Sequence, residues 1–205
     1  MVAIEVDPVL VHYLRHKFST AIAAGRLEMI EGDILQTDLA GMGPNPILAG
    51  NLPYYITSPI LEKTFSLGGN WTRAVFLVQA EVAERITASP GTRDFGYLSV
   101  MAQARARAEL LFAVSKSAFD PPPKVDSAVV RLTPHDGAAE LGVPGLPAFL
   151  KFAQHCFRQK RKTLRNNLGP VYGSGKIESL PEARLRAEQL GVPELAALYR
   201  KIVDG

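Results

Sequence analysis

Asn51-Leu52-Pro53-Tyr54-Tyr55-Ile56-Thr57 places a primary amide, a stiffened turn and two aromatic rings directly after a short apolar run, Ile47 to Gly50. The side chain of Asn51 offers an acceptor and a donor in one plane, the pair that complements the edge of an adenine. If Asn51 and the backbone carbonyl of Leu52 or Pro53 both accept from an exocyclic amine, they hold it with its lone pair aimed at an incoming methyl group. Drawing that lone pair out of ring conjugation restores nucleophilicity without a strong base, and Pro53 stiffens the loop that does so. Tyr54 can stack on a base extracted from its helix or loop. The bland reading of the same residues is a strand-to-helix turn, because Asn and Pro favour turns and Tyr favours cores.

The elements that would position these groups alternate in type over the first two thirds of the chain. Val2 to Val6 reads as a strand, and an amphipathic helix follows from about Pro8 to Ala24, with Val9, Tyr13 and Ile22 among its apolar positions. Leu27 to Ile30, Ile47 to Gly50 and Ala74 to Gln79 read as further strands, the last running into a helix with Glu81, Glu84 and Arg85. A helix near Tyr97 to Arg105 leads to strands at Leu110 to Val114 and Ser127 to Leu132. Strands separated by helices predict a mainly parallel sheet covered on both faces. In such sheets ligands lie outside the carboxyl ends of the strands, which singles out Glu5, Asp7, Asp33 and Asn51. From about Pro134 the chain is punctuated by Pro, Gly and Ala, then turns helical, so we expect an α/β region over residues 1–134 and an all-α region over 135–205.

Charge is distributed unevenly along the 205 residues. The net charge of +3 says little by itself, but no acidic residue occurs between Leu141 and Ile177. Within that stretch Arg158, Lys160, Arg161, Lys162 and Arg165 make a local field that attracts phosphate. On a continuous helix Phe149, Ala153, Cys156, Phe157, Leu164 and Leu168 would form one apolar face. Arg158, Arg161, Lys162 and Arg165 would gather opposite, and Lys160 would have to snorkel. An ordinary solvated helix face is the competing reading of such a cluster.

Other chemistries find little support. Cys156 is the only cysteine, so no internal disulfide is possible, and in a helix it reads as a small buried apolar residue. His12 and His16 share a helix face, but no glutamate stands between them and no third ligand is evident, so no metal is expected. No apolar run reaches membrane-spanning length and no signal peptide precedes Val2, so a cytoplasmic location is expected.

Taken with their order, the motifs resemble the rRNA adenine N6-dimethyltransferases. Val2-Ala3-Ile4-Glu5-Val6-Asp7 is similar to that family's second motif, which implies that Glu5 binds the ribose hydroxyls of S-adenosylmethionine. Glu31-Gly32-Asp33-Ile34-Leu35 resembles the third, implying that Asp33 receives the cofactor's adenine amine while Ile34 packs beside the ring. Asn51 to Tyr54 matches the catalytic loop, and Phe119-Asp120-Pro121-Pro122-Pro123-Lys124-Val125-Asp126-Ser127 resembles the late loop, where Phe119 would stack on the target base opposite Tyr54. The segment Arg158 to Leu168 is similar to the bacterial small-subunit enzymes, which modify adjacent adenosines near the 3′ end of 16S rRNA. The resemblance implies a Rossmann-like α/β methyltransferase sheet followed by a small all-α domain, with S-adenosylmethionine as cofactor and 16S rRNA of the small subunit as partner. A monomer is expected.

The resemblance begins at the second motif. The family's first strand and its GxGxG turn have no counterpart here, so a truncated sheet with open internal edges and a weakened methionine pocket is expected. That leaves two rivals in view: an rRNA-binding assembly factor without catalysis, and a methyltransferase acting on large-subunit rRNA or DNA. Leu52 counts against a DNA enzyme, where a proline is more usual at that position.

Overall fold

The computed structural model describes residues 1–203; the last two residues of the expected helical region lie outside the described ones. Strand β1, Val2–Glu5, is followed two residues later by Asp7, whose carboxylate accepts from the N–H groups of Val9 and Leu10 and so caps helix α1, Pro8–Lys17. Pro8 sits at the helix start, where its missing N–H costs nothing. The single helix expected to Ala24 is two: Phe18 leaves helical geometry at φ −107° and ψ 21°, and α2 occupies Ser19–Ala23. Phe18, Ser19 and Thr20 are weak helix formers in succession, which permits the break. The buried side of α1 also differs from expectation. Val11 is its one buried residue, whereas Val9 and Tyr13 are 74% and 54% exposed.

Strand β2 (Glu28–Glu31) pairs in parallel with β1, Val2 opposite Glu28 and Glu5 opposite Glu31. The remaining strands are β3 (Ile47–Asn51), β4 (Arg73–Gln79), β5 (Ala106–Val114) and β6 (Ser127–Pro134). They form a second sheet in the order β3-β4-β6-β5. Only β3 and β4 run parallel there; β6 is antiparallel to both β4 and β5. The sheet is therefore less parallel than the alternation of elements predicts, because β5 and β6 are joined by a loop and antiparallel neighbours need no helical crossover. Among the described residues β1 and β3 each have a strand partner on one side only, and they belong to different sheets.

Period-two alternation puts Ala74, Phe76 and Val78 of β4, and Ala128, Val130 and Leu132 of β6, into the core. Helices α3 (Thr57–Phe65), α4 (Ala80–Thr87) and α5 (Tyr97–Gln103) pack on this sheet. After Pro134 the described chain is helical: α6 (Gly137–Leu141), α7 (Leu146–Cys156), α8 (Leu164–Tyr172), α9 (Ser174–Glu178) and α10 (Val192–Val203). Phe149, Phe152, Leu164, Leu168, Leu195 and Leu198 from these helices belong to the same buried cluster as Phe76, Phe95 and Leu132. Truncating a fully buried side chain such as Phe152 to Ala would cost about 3 to 5 kcal/mol.

Candidate active site

Glu5, Asp33 and Asn51 stand at or just past the carboxyl ends of β1, β2 and β3. One oxygen of Glu5 accepts from the N–H groups of Val6 at 2.8 Å and Asp7 at 2.9 Å, which orients the carboxylate and leaves the other oxygen available. Asp33 likewise accepts from Leu35 N–H through one oxygen at 2.8 Å. Ile34 and Leu35 pack against the main core, and the Lys63 ammonium on α3 donates to the Leu35 carbonyl at 2.8 Å, tying this loop to the larger sheet. Each acid thus keeps a free oxygen at a strand end, where a hydroxyl or an amine can donate to it.

The turn after β3 is held tightly. Leu52 N–H donates to the Leu77 carbonyl at 3.0 Å, continuing the β3–β4 ladder one residue past Asn51, and the Leu52 side chain is buried. Gly50 eases that folding-back, since an added Cβ would sit 3.1 Å from Leu52 Cδ2 and the leucine side chain would have to give by a few tenths of an ångström. The Pro53 carbonyl accepts from Ile56 N–H at 3.1 Å and from the Thr57 hydroxyl at 3.2 Å, so both its lone pairs are engaged. Of the two backbone carbonyls open on sequence grounds, this leaves that of Leu52. Asn51 itself is exposed at the strand end.

Tyr54 is half-buried, and its hydroxyl lies 2.8 Å from that of Ser127, which is fully buried at the start of β6. This pair joins the Asn51 loop to the foot of the late loop. The late loop is closed by Lys116 N–H donating to the Asp126 carboxylate at 2.9 Å, and Ala80 N–H donates to the Asp126 carbonyl at 3.0 Å. Phe119, half-buried, follows the short 3-10 turn Lys116–Ala118 within it. Ser127 ends the nine-residue motif quoted above, yet nothing in the sequence singles it out as Tyr54's partner.

The basic cluster is not a helix face. Helix α7 ends at Cys156, α8 begins at Leu164, and Arg158 to Lys162 occupy the turn between them. The organiser is Asn167, 4% exposed: its amide nitrogen donates to the carbonyls of Cys156 at 2.8 Å and Gln159 at 3.2 Å, and its oxygen accepts from Gln159 N–H at 3.2 Å. The bond to Cys156 satisfies a carbonyl that the ending helix leaves free, which a continuous helix would not require, and the two bonds to Gln159 pin the turn that follows. Lys160 does not snorkel along an apolar face; it is exposed and its ammonium donates to the Arg93 carbonyl. Arg165 pairs with Glu178 at 2.7 Å, while Arg158 faces a hollow beside Tyr97 and Phe157. The expected apolar face survives across two helices, with Phe149, Ala153, Cys156, Leu164 and Leu168 buried and Phe157 half-buried. Burial pushes the Cys156 thiol far above its ordinary range, so the inert reading of that residue holds.

The sequence profile of the family described as "Ribosomal RNA adenine dimethylase" matches residues 1–194. The chain belongs to that family. Two relatives named "Ribosomal RNA small subunit methyltransferase A" agree. The protein from Acidobacterium capsulatum is 43% identical over 100% of this chain and 74% of its own length; that from Pseudomonas putida is 38% identical over 98% and 75%. A dimethyladenosine transferase from Plasmodium falciparum shares the fold at a TM-score of 0.78 and 23% identity, covering 97% of this chain and 81% of that one. The 23S rRNA methyltransferase ErmE does so at 0.69 and 24% identity, over 98% and 81%. The Rossmann-like fold expected from the motifs is thereby confirmed. As a ribosomal RNA adenine dimethylase the chain is an S-adenosylmethionine-dependent methyltransferase. The free oxygens of Glu5 and Asp33 fit a ribose and an adenine amine respectively, and Ile34 supplies an apolar neighbour.

Proposed function

We propose that this chain dimethylates the N6 amines of adjacent adenosines near the 3′ end of 16S rRNA, in the small ribosomal subunit or its precursor. The observation that carries the reading is the arrangement at the β3 end, where Asn51 is exposed beside a Leu52 carbonyl that the turn leaves without an N–H partner. Asn51 and that carbonyl accept from the target amine and hold its lone pair toward the methyl donor, while Pro53 stiffens the loop. Tyr54 and Phe119 grip the extracted base, and Glu5, Asp33 and Ile34 hold the ribose and adenine of S-adenosylmethionine, which supplies the electrophilic methyl group when bound. In this reading residues 1–134 carry the chemistry and 135–205 dock the RNA, with Lys160, Arg161 and Lys162 as the principal phosphate contacts and Arg158 and Arg165 at their flanks. The protein works as a cytoplasmic monomer; no helix among the described residues is long and apolar enough to cross a membrane.

The test is methyl transfer to unmethylated 30S particles, comparing the chain with its Asn51→Ala variant. The amide acts on the transition state more than on RNA anchoring, so turnover should vanish while particle binding persists. Equal turnover would remove Asn51 from the catalytic role. Binding to 30S particles with no transfer by the unaltered chain would favour the assembly-factor reading instead.

A further inference from the structure

A cleft of about 780 Å³ lies where the loop after α4 meets the basic turn and the segment before α10. Arg93 enters it from the loop, Lys160 and Arg161 from the turn, and Arg186 from the segment before α10. None of these four has a carboxylate within ion-pair distance among the described residues. Arg85 on α4 also lines the cleft but is neutralised by Glu81 one turn earlier. Asp94 and Glu188 are the only other carboxylates there, so cations remain in excess.

The walls are locked together. Lys160 donates to the Arg93 carbonyl, Gly91 N–H donates to the Glu188 carbonyl at 2.6 Å, and Thr163 bridges to Arg186 as an antiparallel pair. Beneath them the Phe95 ring meets Phe157 edge-on at 6.1 Å. Four unpaired cations held on a preformed concave surface cost electrostatic repulsion, which an anionic ligand relieves. Glu81, in the first turn of α4, also lines the cleft. Leu77, opposite Asn51 in the β3–β4 ladder, precedes Glu81 by four residues, at most about 14 Å of chain.

From this placement we infer that the cleft seats the phosphodiester backbone of the same RNA strand that presents its adenosine to Asn51, with Arg93 and Arg186 as phosphate ligands alongside Lys160 and Arg161. The inference rests on the proposed rRNA substrate. It adds two arginines from outside the basic turn, and it leaves Arg158 and Arg165, which face elsewhere, without a phosphate contact in the cleft.

The test is a salt titration of binding between the full chain and a 3′-terminal fragment of 16S rRNA, using R93A/R186A and, separately, R158A/R165A. Each lost phosphate contact flattens the log-log slope by about 0.7 to 0.9, so R93A/R186A should flatten it by about 1.4 to 1.8 and weaken low-salt binding at least roughly tenfold. R93K/R186K should retain most of the slope, and R158A/R165A should change it little. Thermal unfolding checks that each variant is folded. An unaltered slope in folded R93A/R186A overturns the cleft assignment, and if K160A/R161A still flattens the slope, the rRNA reading survives without it. Salt-independent binding by the unaltered chain would sink both.

Discussion

The hydroxyl pair between Tyr54 and Ser127 joins the ring proposed to grip the target base to the backbone architecture in a single contact. Tyr54 comes from the turn after β3 and Ser127 from the first residue of β6, so their 2.8 Å contact ties the tip of the Tyr54 side chain to the start of that strand. A hydrogen bond of this kind contributes about 0.5 to 1.5 kcal/mol. Tyr54→Phe and Ser127→Ala should therefore each lower kcat on 30S particles by roughly three- to tenfold with little change in KM. The double variant should be no worse than either single one, because both delete the same contact. Strictly multiplicative losses in steady-state assays would show that the residues act separately. Asn51, Pro53 and Tyr54 could be picked out because their side-chain chemistry is local to one turn. Ser127 could not, since its partner lies 73 positions away and a buried serine at a strand start has many uses.

At the scale of elements the basic turn is the main departure from expectation, and its cause is Asn167. Apolar residues recur at helical spacing from Phe149 to Leu168, and no Gly or Pro interrupts Arg158 to Lys162, so periodicity alone predicts one helix. The break depends on one buried amide bonding to Cys156 and Gln159, a long-range choice that no window of periodicity registers. Asn167→Ala should destabilise the protein by about 1 to 3 kcal/mol in urea unfolding, because Gln159 N–H and the Cys156 carbonyl lose their partner, while the Gln159 carbonyl keeps only its bond from Lys162 N–H. Asn167→Asp should be worse, since it turns a carboxylate oxygen toward those carbonyls; a Tm equal to wild type in either would show that the turn stands without it. A second element-level contact ties α10 to the preceding chain through the Lys201 ammonium and the Glu182 carboxylate, 2.6 Å apart. That bond holds the Glu182 carboxyl below the usual carboxylate range. A lowered folded pKa means the contribution is complete above the ordinary range near 4.5 and is lost as pH falls through the lowered value. Glu182→Gln should accordingly flatten the acid side of the stability–pH curve, and superimposable acid limbs for the two proteins would count against the pair.

Across the whole molecule the sheet region and the helical region share one buried cluster, in which Phe95 and Leu132 belong with Phe149, Phe152 and Leu195. Calorimetry should therefore show a single transition whose van't Hoff and calorimetric enthalpies agree; two resolved transitions would mean that the regions unfold separately. The change of character at Pro134 could be read from composition, and β6 does end there. That the helices complete the core of the sheet could not be read, because apolar periodicity tells which face is buried but not against what. The split of the strands into two sheets follows the same logic: strand positions are visible in alternation, whereas partners and their directions depend on tertiary placement. Cys156 lies inside this shared core, with its carbonyl bonded to Asn167 and its side chain fully buried. As the chain's single thiol, it reacts with a solvent-borne disulfide reagent only when the seam beside the basic turn opens. The molecule thus carries its own clock for that opening, readable in the unaltered protein without attaching a dye, and bound RNA that braces the turn would slow it.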